Sequence, residues 1–305
     1  MRAVAFPAFD VAPALSDLPV PEPGPGEVLV QVRASSINGF DLGAIGGFLK
    51  GVYEYEFPVV VGKDFAGVVA AVGDEVTSLS VGDEVFGVVM RPTLGQGGLA
   101  EYVAVSEAYG IARIPEGLDH AQAGALGLAG TAALNAIDTV APATGETVLI
   151  SGATGGVGAY AIQFAVARGA TVIATAKPGD ETEFVTGLGA AHAVDHADLE
   201  AQVRAIAPDG VHAALHLAGD GATVAGLLAP GGRFATTVHF TPDIEDIKST
   251  AVMSDPSTDT LTRLAADAAA GRLQVPIAKT YSLAEAEQAI AQFSRGTLGK
   301  VAITI

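Results

Sequence analysis

Three glycines, Gly152, Gly155 and Gly158, stand at intervals of three within TVLISGATGGVGAYAIQFAVARGATVIATAK, residues 147 to 177. Glycines so spaced let a chain bend tightly, bring bare backbone against a pyrophosphate and seat the next helix close on the preceding strand. Thr147 to Ser151 is the short apolar run of a buried parallel strand. Beyond the turn, Val157, Ala161, Phe164 and Ala165 share one helical face, Gly169 supplies a stop, and Thr171 to Thr175 reads as a second strand. Strand, glycine turn, helix and strand in that order form a dinucleotide site, in which Thr154, Gly156 and Val157 join the three glycines around the phosphates.

The end of the second strand bears on which dinucleotide. A methyltransferase opens in the same way but normally closes this strand with an acid that holds ribose hydroxyls. Here the position reads Ala174, Thr175, Ala176, Lys177. A carboxylate would bind the ribose diol of NAD and repel the 2′-phosphate of NADP, so Thr175 and Lys177 favour NADPH. Lys177 is either a point-charge partner for that phosphate or a solvated surface lysine. Asp180, Glu181 and Glu183 follow closely and weaken the preference.

The elements around this unit divide the chain in two. Upstream lie short strands, EVLVQVRASSI, DFAGVVAAVG, GDEVFGVVM and AEYVAVSE, punctuated by PGPGE, VGDEV and GQGG, the pattern of an antiparallel barrel-like domain. From Ala121 the pattern becomes helix and strand in alternation. Leu126, Leu128, Ala132, Leu134 and Ile137 carry a helix into the dinucleotide strand, and 192–194, 213–217 and 233–238 read as further parallel strands. Ala229 to Gly232 reads as a sharp turn into the last of these, and Ser282 with Glu285 as a capping box. The closing strand is assigned to the first domain. The expected division is 1–120 with 273–305, and 121–272.

With 305 residues, half of them hydrophobic and 16% charged, the chain has the composition of a compact two-domain protein. No apolar run is long enough for a bilayer and the start has no signal-peptide design, so the expected location is cytoplasmic, with no membrane partner. Zero cysteine removes disulfides, thiolate nucleophiles and cysteine-ligated metal sites. A net charge of -18 argues against nucleic acid.

Several motifs in order give a resemblance that spans nearly the whole chain: PGPGEVLVQVRASSIN, NGFD at 38–41, GKDFAGVVAAVG at 62–73, VGDEVFG, GATGGVG, LAPGGR and GTLGKVAITI. The sequence resembles the medium-chain dehydrogenase/reductase superfamily, in its zinc-free quinone oxidoreductase branch. That resemblance implies an α/β fold, a GroES-like β-barrel catalytic domain plus a Rossmann dinucleotide-binding domain, and a homodimer. Zinc-dependent members draw their first two catalytic ligands from a cysteine and a histidine whose places are taken here by Asn38 and Lys63. An amide is a poor zinc ligand and an ammonium repels a dication, so no metal is expected.

The resemblance also implies the chemistry. NADPH gives hydride to a quinone or to the β-carbon of an enone, and the product oxygen then needs a hydrogen bond or proton. Asn38 matches the residue near the nicotinamide ribose or substrate carbonyl, with an asparagine turn as its alternative. Asp41 is read as a supporting residue or a helix N-terminal acid. Lys63 either donates to the developing oxyanion or is buried in a pair with Asp41 or Asp64. Tyr53 and Tyr55 are the candidate proton donors or substrate contacts, with packing as the alternative. Thr131, His239 and Phe240 are carried over as cofactor contacts, Thr131 with backward bonding to a helix carbonyl as its alternative.

The expected function is an NADPH-dependent reductase of a small electrophilic acceptor. Two other readings stay open: an enoyl reductase or redox-neutral cyclase in biosynthesis, and a protein that binds NADPH without turnover.

Overall fold

The computed structural model describes residues 1–305 other than His239. The chain opens with β1 (Arg2–Phe6), β2 (Ala14–Asp17), the long β3 (Glu27–Ile37) and α1 (Gly39–Ile45). There follow β4 (Glu54–Tyr55), β5 (Val59–Val60), β6 (Asp64–Val72) and β7 (Glu84–Val88). The first stretch ends with β8 (Thr93–Leu94), β9 (Tyr102–Ser106), β10 (Ile111–Arg113) and the helix α2 (His120–Val140). Val28, Val30 and Val32 of β3 alternate into a core with Phe65, Val85 and Val103, the period-two pattern that the sequence displays.

After α2 come β11 (Thr147–Ser151), α3 (Gly156–Ala167), β12 (Thr171–Thr175), α4 (Asp180–Gly187) and β13 (His192–Val194). Then follow α5 (Leu199–Ile206), β14 (Val211–His216), α6 (Gly221–Ala225), β15 (Leu228–Thr236) and β16 (Lys248–Ala251). The six strands are parallel, in the order β13-β12-β11-β14-β15-β16. By order of appearance this is 3-2-1-4-5-6, whose direction reverses between β11 and β14, where doubly wound sheets bind ligands at their strand carboxyl ends. Ala229 to Gly232, expected to precede a strand, lies within β15. Pairing with β14 passes from Val211–Leu228 to Ala213–Arg233, so the turn is an irregularity inside a longer strand.

The chain then returns through α7 (Thr258–Ala269), β17 (Ile277–Ser282), α8 (Ala286–Ser294) and β18 (Lys300–Thr304). β18 lies antiparallel to β3, with Val301 opposite Ile37, in a seven-stranded sheet that runs β10-β7-β6-β3-β18-β17 with β9 also on β3. At the turn before α8, Glu285 accepts from the Ser282 N–H at 2.9 Å and hydroxyl at 2.7 Å, the capping pair read from the sequence.

The expected α/β architecture is the one the chain forms, a strand-rich barrel-like domain and a parallel nucleotide-type sheet. Its compact units are Met1–Thr131 with Pro256–Ile305, and Ala132–Asp255. The sequence reading had put these limits at 120 and 273. Nothing in the even apolar pattern of α2 marks a change of unit, and α7, which looks like one more crossover helix, packs on β10. Among the described residues, no helix is both long and apolar enough to cross a membrane.

Candidate functional site

In the first unit the sheet order β6-β3-β18 makes three remote segments converge. β3 runs antiparallel to both neighbours, so its carboxyl end, with Ser36 and then Asn38, meets the amino ends of β6 and β18. Those ends carry Lys63 and Asp64, and Lys300. Asp64 Oδ2 accepts from the Ser36 hydroxyl at 2.5 Å and from Asn38 Nδ2 at 2.8 Å, while its Oδ1 accepts from the Leu128 N–H at 2.7 Å. Lys300 Nζ donates to Asn38 Oδ1 at 2.5 Å and to the Ile37 carbonyl at 3.3 Å, and lies 3.4 Å from Asp64 Oδ2. Ser36, Asn38, Asp64 and Lys300 are all buried. Both faces of the Asn38 amide are therefore engaged within the protein.

Lys63 was expected either at a developing oxyanion or in a pair with Asp41 or Asp64. The lysine that pairs with Asp64 is Lys300. Lys63 Nζ instead donates to the Val89 carbonyl and stands 4.9 Å from the centre of the Phe40 ring, which among the described residues leaves two of its three N–H bonds unassigned. Burial pushes its ammonium down to about 8, against the pull of Asp41 and Asp64.

Asp41 accepts from the Asn38 N–H at 2.8 Å and stabilises the start of α1. Burial pushes its carboxyl up to about 7, the Asn38 N–H, Lys300 and Lys63 pulling it back and Asp64 adding to the rise. A carboxyl that holds its proton more tightly when folded adds stability that is complete below its unfolded value of 3.8 and is lost as pH rises through about 7. At 1.36 kcal/mol per unit the swing is at most about 4 kcal/mol. Asp41→Asn keeps an acceptor for the Asn38 N–H and cannot ionise. Urea denaturation at pH 5 and pH 8 is expected to show the variant gaining about 2–4 kcal/mol on the parent between the two values. A constant difference would remove Asp41 from the account.

The tyrosines separate. Tyr55 donates to the Ala44 carbonyl at 3.2 Å and packs against Phe9 and Phe57, and burial raises its phenol. Tyr53 packs edge-on against Phe40, the ring beside Lys63, and its hydroxyl makes no hydrogen bond among the described residues. Thr131 is fully buried in α2, and among the described residues its Oγ1 has no partner, not even the backward bond that a helical threonine usually makes.

In the second unit the glycine turn joins β11 to α3 at the reversal in strand order. Gly155 caps α3 without any side-chain bond. The N–H groups of Gly156, Val157 and Gly158 meet no protein acceptor among the described residues, and with Thr154 these residues stay partly accessible except for the buried Gly158. A Cβ on Gly158 would lie 2.4 Å from the Gly152 carbonyl oxygen and 2.6 Å from Ala153, so the close seat of helix on turn requires glycine. Open donors on a helix N-terminus, at the sheet's switch point, fit a dinucleotide pyrophosphate. The buried orphan hydroxyl of Thr131 is the kind of group that a ligand satisfies.

Thr175 uses its hydroxyl to accept from the Gly152 N–H at 3.0 Å, bracing the turn against β12. Lys177, two residues on, is exposed and its ammonium has no ion pair among the described residues. Phe240 packs its ring against His216 and Phe234, in space that Gly221 leaves open. His239 lies outside the described residues. His216, which sequence reasoning passed over, is buried at the end of β14, with Nδ1 3.2 Å from Thr236 Oγ1 and Nε2 3.1 Å from the Gly219 carbonyl. Among the described residues, no three His, Cys, Asp or Glu side chains gather into a group able to hold a metal.

Comparison with known proteins agrees with this division. Residues 24–116 match the alcohol dehydrogenase GroES-like domain family, and 156–251 the zinc-binding dehydrogenase family. The solved quinone oxidoreductase of Coxiella burnetii is 28% identical and superposes with a TM-score of 0.90, over 100% of this chain and 99% of that one. An alcohol dehydrogenase superfamily protein from Novosphingobium aromaticivorans is 30% identical, with a TM-score of 0.88 over 100% and 99% of the two chains. Among curated proteins, a mycocerosic acid synthase-like polyketide synthase of Mycobacterium tuberculosis is 39% identical over 240 residues, 77% of this chain but 11% of the synthase. The chloroplastic quinone oxidoreductase QR1 of Triphysaria versicolor is 34% identical over 64% of this chain and 61% of its own length.

Proposed function

Since the chain belongs to the medium-chain dehydrogenase/reductase superfamily, in its quinone oxidoreductase-like branch, we propose that it is a zinc-independent, NADPH-dependent reductase of a quinone or an α,β-unsaturated carbonyl. The observation that carries the reading is the open donor face of Gly156, Val157 and Gly158 at the sheet's switch point. A bound nicotinamide supplies a hydride, which leaves an acceptor such as an enone with two added electrons and in need of one proton. Asn38 and Lys63, in the places where zinc-dependent members carry ligands, support a reaction that does not rely on a Lewis acid.

The roles differ from residue to residue. Asn38, tied to Lys300 and Asp64, holds the wall of the site in place. Lys63 keeps two N–H bonds free and an ammonium depressed to about 8, which suits a hydrogen-bond or proton donor to the product oxygen. Tyr53, with an unengaged hydroxyl, is its nearest alternative, whereas the Tyr55 phenol is occupied by Ala44. The polyketide synthase relative favours a second reading, a reductase acting on unsaturated acyl chains in biosynthesis.

Nicotinamide absorbance is expected to decay only when an acceptor is added, faster with NADPH than with NADH, across a panel of quinones, enones and enoyl thioesters. Preference for enoyl thioesters would select the second reading. Tight NADPH binding with no decay against any acceptor would replace both by a non-catalytic binding role. Lys177→Ala is expected to weaken NADPH binding by about 1–2 kcal/mol, roughly 5- to 30-fold, through loss of a charge-assisted contact to the 2′-phosphate. An unchanged dissociation constant would make Lys177 a solvated surface residue.

A further inference from the structure

The sequence places no acid at the end of β12, yet the fold returns one there. Glu181, in the first turn of α4, lays its carboxylate back on the strand end and accepts the Lys177 N–H through Oε2 at 2.8 Å. The return is built in. Gly179 takes a φ of +96° to fold the chain over, and the Lys177 carbonyl accepts from the N–H and hydroxyl of Thr182 at 3.2 and 3.0 Å. Glu181 is only partly buried, and among the described residues no hydrogen bond engages its second carboxylate oxygen.

Two donors at this strand end suit a ribose 2′-phosphate: the exposed Lys177 ammonium and the Lys177 N–H. The second is already taken by a carboxylate. A phosphate arriving there meets a like charge and must displace it, whereas an unphosphorylated ribose finds in the same carboxylate an acceptor for its hydroxyls. The two side chains therefore pull in opposite directions over a single substituent.

We propose that Glu181 is a specificity-determining residue that opposes Lys177, occupying the backbone donor a 2′-phosphate would use and accepting from the ribose diol of NADH, so that the chain's preference for NADPH is narrow. The inference rests on the dinucleotide reading of the preceding subsection.

It is tested by equilibrium binding, without turnover. Cofactor fluorescence, in a protein with no tryptophan to contribute, gives dissociation constants for NADPH and NADH, and calorimetry gives them for 2′,5′-ADP and 5′-ADP. Glu181→Gln keeps an acceptor for the Lys177 N–H and removes the charge. It is expected to tighten NADPH and 2′,5′-ADP by roughly 5- to 10-fold and to weaken NADH, shifting the ratio of the two cofactors by about tenfold or more. If Glu181→Gln leaves that ratio unchanged while Glu181→Ala alters it, Glu181 only shapes the turn and the proposal is overturned. An unchanged ratio in both variants overturns it equally. If the parent binds neither dinucleotide, the failure lies with the cofactor site itself.

Discussion

Lys300→Met is expected to destabilise the protein by about 3–5 kcal/mol, the usual cost of removing one partner from a buried ion pair. The substitution keeps most of the side chain's volume, so the loss is electrostatic. It strips Asn38 Oδ1 and the Ile37 carbonyl of a donor and leaves Asp64 with the Ser36, Asn38 and Leu128 donors but without its paired ammonium, Lys63 acting on it only without an ion pair. Burial already holds the Lys300 ammonium below its ordinary range, against Asp64 and Asp41, so solvation does not explain its presence. An unfolding free energy, from urea denaturation, within about 1 kcal/mol of the parent would show that the pair contributes little. Lys300→Met with Asp64→Asn is expected to recover part of the loss, because an unpaired buried charge costs more than a neutral amide. Strict additivity of the two single losses would mean that the side chains do not act together.

The largest effect on ligand binding is expected from Gly158→Ala. One methyl group would press on the Gly152 carbonyl oxygen and on Ala153, all backbone, so either the turn opens or α3 moves away from it. Both outcomes take the N–H groups of Gly156 and Val157 out of their shared position. NADPH affinity is expected to fall by about 100-fold or more, some 3 kcal/mol, the range for losing two charge-assisted backbone contacts. Far-UV circular dichroism should stay close to that of the parent, since β11 and α3 each keep their own hydrogen bonds. Parent-like affinity in a folded variant would place the pyrophosphate elsewhere.

What the sequence displayed, and what it hid, follows from the range of the interactions. The nucleotide unit was legible because its signals are local: a strand, three glycines and a helix face lie within about thirty residues, and each states its own backbone requirement. The Ser282–Glu285 cap was legible for the same reason. The polar network at Asn38 was half legible. Asn38, Asp41 and Lys63 sit in adjacent motifs, but the partner of Asp64 comes from the far end of the chain, and only a lysine opening an otherwise apolar strand hinted at burial. Glu181 was seen merely as a nearby negative charge. The Gly179 turn into the first turn of α4 places it on the strand end itself, a consequence that no count of charges contains. At Thr175 the structure adds what the sequence did not display: the hydroxyl assigned to the cofactor also braces the glycine turn by accepting from the Gly152 N–H.

The placement of β18 in the middle of a sheet also has a temporal meaning. Asp64 and Lys300 are 236 residues apart, and a ribosome releases the first long before it makes the second. Throughout that interval the carboxyl-terminal part of β3, from Ala34 to Ile37, lacks the neighbour that β18 supplies, β9 covering only Glu27 to Gln31, and Asp64 lacks its paired ammonium. The parallel sheet between them, made of consecutive units, can assemble while the first unit waits. Completion of the barrel-like unit is thus a late event set by β18, and the buried Asp64–Lys300 pair can form only after the whole parallel sheet has been made.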